Sequence, residues 1–141
     1  MITEAWKLSR DMRVVAFLWH QGEHDAFERP ELPPNERYDF YKSEFSNLVA
    51  KVREVLGRDF PIICGEFTQP WMEKNKIACN AVLAAMQAVL KDDGCGMLVS
   101  SAGAKVNKEA VGNGDILHFS RDGLHLLGKR YLEAFEKLTQ K

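Results

Sequence analysis

Two short segments of the 141-residue sequence concentrate side chains that could do chemistry. His20-Gln21-Gly22-Glu23-His24-Asp25 gathers five polar side chains around one glycine directly after an apolar run. Asp115-Ile116-Leu117-His118 follows the glycine-rich Gly112-Asn113-Gly114. An aspartate three residues before a histidine can hold the imidazole by one ring nitrogen and leave the other to a substrate. That is the orienter and general-base arrangement of a serine hydrolase. Taken alone, the pair reads by default as an exposed aspartate beside a partly buried loop histidine. The first segment also matches HxxEH, in which two helical histidines four apart bind zinc and the glutamate acts as base. Such a site needs a helix to put both rings on one face. Here Gly22 interrupts the segment and Pro30, Pro33 and Pro34 follow soon after, so a zinc peptidase is the third-ranked reading and no metal or other cofactor is expected.

The elements that must position these groups alternate along the chain. Residues 13–19, 60–67 and 96–101 are nearly continuous apolar runs, the pattern of strands buried on both faces of a parallel sheet. Pro61 is compatible with a strand only near its start. Between the runs, Tyr38, Tyr41, Phe45, Leu48, Val49, Val52, Val55 and Leu56 form a helical stripe with Pro33-Pro34-Asn35 as its start signal and Gly57 as its stop. A second stripe runs from Ile77 through Ala78, Ala81, Val82, Ala85 and Met86 to Val89, before Gly94. A third joins Leu124, Leu127, Tyr131, Leu132, Phe135 and Leu138, with Ser120 as N-cap and Gly128 on the packed face. A shorter helix is expected over residues 3–12. The order predicts an α/β three-layer sandwich with a parallel sheet, flavodoxin-like, of about three strands. Ligands of such sheets bind beyond the carboxyl ends of the strands, which is where the two polar segments fall.

Composition narrows the partners. Nineteen Lys plus Arg against 20 Asp plus Glu gives a net charge of −1, too balanced for a strong claim on nucleic acid or an anionic membrane. No apolar run approaches the ~20 residues of a membrane span, and the first residues do not open a signal peptide. Cys64, Cys79 and Cys95 fit neither a disulfide framework nor a CxxC zinc pair, so they read as buried thiols of a cytoplasmic protein. A secreted, leader-cleaved form is the alternative. One domain over residues 1–141 is the expectation from length.

Trp19-His20-Gln21-Gly22-Glu23-His24-Asp25 resembles the WxQGExD block of the SGNH-hydrolase carbohydrate esterases, the group of sialate O-acetylesterase-like and acetylxylan esterase-like enzymes. Asp115 to Phe119, with Gly123, Leu127-Gly128, Arg130-Tyr131 and Ala134-Phe135, resembles their closing DxxHF…G…LGxRYxxAF segment. The resemblance implies that Asp115 and His118 are the acid and base of a triad and that Gln21 donates its amide to the oxyanion beside a tight turn at Gly22. It implies that Glu23 and Asp25 brace the loop, and that the substrate is an acylated carbohydrate or other small ester. The sequence departs from the family pattern in three respects. Neither a GQSN-type block with the nucleophilic serine nor the second, glycine-bearing oxyanion block is present, and position 24 is histidine. The chain is therefore expected to correspond to the C-terminal half of the family domain, with the nucleophile unknown. Ser100 and Ser101 are the only internal candidates, since Ser9, Ser43, Ser46 and Ser120 fall in or at the ends of helices. The reading from another class is a non-catalytic, homo-oligomeric interaction module that buries a vacant sheet edge.

Overall fold

The computed structural model describes residues 13–27, 31–108 and 114–140; the helix expected over residues 3–12 lies outside them. Three strands, β1 (Phe17–Trp19), β2 (Ile62–Gly65) and β3 (Gly96–Val99), pair in parallel in the order β1-β2-β3. Phe17 is opposite Ile62, and Ile62 is opposite Gly96. The helices are α1 (Glu23–Phe27), α2 (Pro34–Leu56), α3 (Gln69–Lys74), α4 (Lys76–Asp93) and α5 (Arg121–Thr139). Helices α2 and α4 cover one face of the sheet and α5 the other, giving the three-layer α/β sandwich. No helix among the described residues is long and apolar enough to cross a membrane.

Local chemistry explains the helix ends. Pro34 occupies the first turn of α2, where a missing N–H costs nothing. Gly57 and Gly94 close α2 and α4 with positive φ, and their N–H groups return to Arg53 and Leu90. Ser120 caps α5 by accepting from the Gly123 N–H at 3.2 Å. Alternation along β2 then divides the core. Ile62 and Cys64 pack among Tyr41, Phe45 and Val49 of α2 and Val82, Ala85, Met86 and Val89 of α4. Ile63 packs with Val99 and Ala134 on the α5 side.

Three expectations need correction. The first strand is not buried on both faces: β1 is an edge strand, α5 packs on β2 and β3, and Leu18 and Val15 are 58% and 57% exposed. A continuous apolar run does not reveal which strand lies at the edge. Gly128 is exposed with open space around it. The close approach lies at Gly123, where a Cβ would run into the carbonyl of Lys105. Within the helical stripes, Ile77, Leu124 and Leu132 are exposed.

A buried ion pair closes the amino end of the sheet. The Arg53 guanidinium donates to both carboxylate oxygens of Asp93, at 2.9 and 2.6 Å, and to the carbonyl of Phe60 at 2.7 Å. It also lies 4.9 Å from the centre of the Phe60 ring. Both charged side chains are nearly inaccessible, so the ends of α2 and α4 are tied to the entries of β2 and β3. Removing one partner strands the other charge. Asp93→Ala is expected to lower folding stability by about 3–5 kcal/mol, read from urea unfolding. The hydrogen bonds from Arg53 hold the Asp93 carboxyl below its ordinary value of 3.8. The pair's contribution is complete above the unfolded-chain value and is lost as pH falls through the lower folded one. Stability of the wild type should therefore drop more steeply than that of Asp93→Ala below about pH 4, and parallel acid curves would refute this account.

Candidate functional site

The strands end in glycine-dependent crowding. After Trp19 and His20 the chain turns at Gly22 with φ 136°, and a Cβ there would lie 2.9–3.1 Å from Phe67, Met86 and Val82. The Gly22 carbonyl accepts from Ala26 N–H at 3.0 Å, which starts α1. At the end of β2, a Cβ on Gly65 would collide with His20 and the Tyr131 hydroxyl. Tyr131 Oη donates its single proton to the Trp19 carbonyl at 3.2 Å. It therefore accepts from His20 Nδ1 at 3.2 Å, which leaves His20 Nε2 toward Glu23 Oε1, 3.8 Å away. Burial pushes the His20 imidazole below its ordinary value of 6.5, against the opposing pull of Glu23.

Asp115 and His118 sit in a loop framed by its neighbours. Lys105, Asn107 and Lys108 exchange main-chain hydrogen bonds with Ser120, His118 and Asp115, and Val106 bridges antiparallel to Phe119. The buried Thr68 caps α3 and donates its hydroxyl to the Ile116 carbonyl, tethering the loop to the end of β2. Asp115 Oδ1 accepts from the N–H groups of Leu117 and His118 at 2.9 and 3.0 Å. Asp115 Oδ2 accepts from Asn107 Nδ2 at 3.1 Å and from His118 Nδ1 at 3.0 Å. The His118 N–H first, then Asn107, hold the Asp115 carboxyl down to about 2. With Nδ1–H committed to Asp115, Nε2 of the 70% exposed His118 side chain is the ring nitrogen open to a substrate.

A cleft of about 490 Å³ collects these groups. His20, Gln21, Glu23, His24 and His118 line it together with Phe27, Trp71, Leu117, Phe119 and Leu124. Gln21 Nε2 donates to Asp25 Oδ2 at 2.9 Å, which uses one amide hydrogen and leaves the second. Asp25 is in turn fixed through its carbonyl, which accepts from the buried Arg37 at 2.7 Å. Gly22 and Asp25 thus stand behind the wall, while Glu23 forms part of it. A larger groove of about 1140 Å³ between α1 and the start of α4 contains neither His118 nor Gln21.

The zinc arrangement is not formed. His24 lies in α1, whereas His20 precedes Gly22 and the helix start, so the two rings do not share a helical face. Among the described residues no three His, Cys, Asp or Glu side chains are grouped to hold a metal.

None of the ten cleft-lining side chains carries a hydroxyl or thiol. Ser101 is fully buried, donating to the Phe67 carbonyl at 2.5 Å and accepting from Gln69. Ser100 donates to Glu66 at 3.0 Å and lines a different hollow beside Arg130. Burial pushes the Cys64 and Cys79 thiols up to about 12 and about 11, away from nucleophilic use.

Sequence reasoning missed several groups that build the site. Thr68 was signalled by its place before Gln69-Pro70, a cap followed by a first-turn proline. Asn107, Phe27 and Trp71 carry no local signal, because their roles arise from tertiary contact with Asp115 and with each other.

Comparison with known families adds one finding. The family model described as "carbohydrate esterase, sialic acid-specific acetylesterase" matches residues 1–137. Neither the curated proteins nor the solved structures give a significant match. A match over nearly the whole chain is decisive: this protein belongs to the sialic acid-specific acetylesterase family of carbohydrate esterases.

Proposed function

We propose that the chain provides the acid, base and oxyanion side of an SGNH-type esterase that removes acetyl or similar acyl groups from carbohydrate hydroxyls. The observation that supports this most is the Asp115–His118 pair, whose open Nε2 shares a cleft with Gln21. A serine from outside the described cleft would attack the acyl carbon while His118 Nε2 takes its proton. The tetrahedral oxyanion would accept the free Gln21 N–H, a contribution of about 2.7–4 kcal/mol per donor. Collapse expels the sugar oxygen, which regains the proton from His118. Water, deprotonated by the same nitrogen, then frees the acid and regenerates serine.

Glu23 and Asp25 hold the Gln21 loop in this scheme, and no metal is used. Asp115, kept ionised to about pH 2, stabilises the imidazolium without accepting its proton.

The 141-residue chain alone is expected to hydrolyse an aryl acetate slowly or not at all, since loss of the nucleophile removes covalent catalysis. Any turnover it shows should fall to background in His118→Ala. Robust hydrolysis that survives this substitution overturns the proposal, and robust His118-dependent hydrolysis would bring Ser100 back as nucleophile. Independently of turnover, ¹⁵N NMR should find neutral His118 as the Nδ1–H tautomer and a mixture of tautomers in Asp115→Asn.

Among the described residues no strand pairs with the outer side of β1, and Leu18 in it and Val15 just before it are exposed, which favours a second reading, a non-catalytic module pairing edge to edge with a second copy. Sedimentation equilibrium would then show a dimer that Leu18→Lys dissociates. A wild-type monomer throughout the micromolar range eliminates that reading.

A further inference from the structure

We propose that Phe27 and Trp71 form the wall on which the sugar ring of the ester rests beside His118, a refinement that depends on the esterase reading. Phe27 is 62% exposed and Leu124 57% exposed, and both line the cleft that holds His118. Large apolar side chains that project into a cleft rather than a core mark a surface that meets a ligand. The Phe27 ring lies 6.0 Å from that of Trp71, tilted by 49°, so two aromatic rings meet at an angle on one side of the cleft. His20, Gln21, Glu23 and His24 supply polar groups to the same cleft. A lining of aromatic rings on one part and hydrogen-bonding side chains on another matches the two surfaces of a pyranose. The C–H groups of the ring seat on the negative face of an aromatic, and its hydroxyls need donors and acceptors.

The covalent connection makes the placement specific. Gly22 fixes the start of α1, and Ala26 is buried against the core. Phe27 is the last residue of this five-residue helix and Gln21 lies two residues before its start. The group that would meet the acyl oxygen and the ring that would meet the sugar are therefore held by one rigid turn. The cleft volume of about 490 Å³ falls in the range of small-molecule sites.

Saturation-transfer NMR with the methyl glycoside of an O-acetylated pyranose, compared with ethyl acetate, tests this wall. Saturable binding of the glycoside is expected. Phe27→Ala should weaken it about tenfold, while Phe27→Tyr retains it. Leu132→Ala, which removes an equally exposed apolar side chain outside the cleft lining, should bind as the wild type does. The proposal is overturned if Phe27→Ala binds the glycoside as tightly as the wild type, or if the wild type shows no saturable binding. Circular dichroism of Phe27→Ala, expected to match the wild type for so exposed a residue, separates lost binding from lost folding. Hydrolysis is read separately. His118-dependent turnover with Phe27-independent binding overturns the wall and leaves the esterase reading standing. Phe27-dependent binding in a chain whose turnover ignores His118 supports the wall and overturns the esterase reading.

Discussion

The carboxylate of Asp115 is the constraint around which the cleft is organised. One anion accepts two backbone N–H groups, the Asn107 amide and the His118 ring. The first two contacts shape the turn that carries His118, and the last sets the ring's tautomer. Shape and protonation are therefore set by the same atoms. Because backbone donors stabilise the charged form, the carboxylate has no tendency to compete for the histidine's proton. Main-chain pairing between the stretches around Lys105 and Ser120, together with the Thr68 tether, carries that local arrangement to the ends of the strands.

The two ends of the sheet are built on opposite principles. At the amino end, Arg53 and Asp93 are bonded to each other and to Phe60 and are nearly inaccessible, so the pair is closed to a ligand. At the carboxyl end, Gly22 and Gly65 forgo side chains so that His20, Tyr131 and Phe67 can crowd together. That crowding supports a surface whose donors and acceptors are only partly used. Arg130 assists from α5 by donating to the carbonyls of Ser100 and Ala102, while Glu66 receives the Ser101 N–H and the Ser100 hydroxyl. The loop after β3 is thus tied down by its own polar residues, which explains why its two serines are occupied structurally.

Much of this was legible in the residues. The helices α2, α4 and α5 were readable because each couples an apolar stripe to a chemical stop or start at Gly57, Gly94 or Ser120, and these signals act within one turn. The two polar segments were readable because ionisable residues clustered after an apolar run are costly unless they reach a surface. What could not be read depends on neighbours distant in sequence. The edge position of β1 follows from the strand order and its open face from where α5 packs, the spatial role of Gly123 from the path of Lys105, and the part played by Asn107 from a contact across a loop. The helical start at Glu23 was hidden because Gly22 reads as a breaker until its positive φ is known to launch α1.

The strand pairing has a consequence for how the chain reaches this state. Among the described residues the pairings of the three strands are all parallel and join segments some 34 to 45 positions apart, as in Phe17 with Ile62 and Ile62 with Gly96, so no hairpin between them can seed the sheet. Loop closure must be met before any ladder bond forms, which places this topology among the slower folders for its size. Helices α2 and α4 are the devices that shorten the search. Once formed, each spans the gap between successive strands, and their mutual contact through Phe45, Val49, Val82 and Val89 presents a ready apolar floor on which β2 can settle.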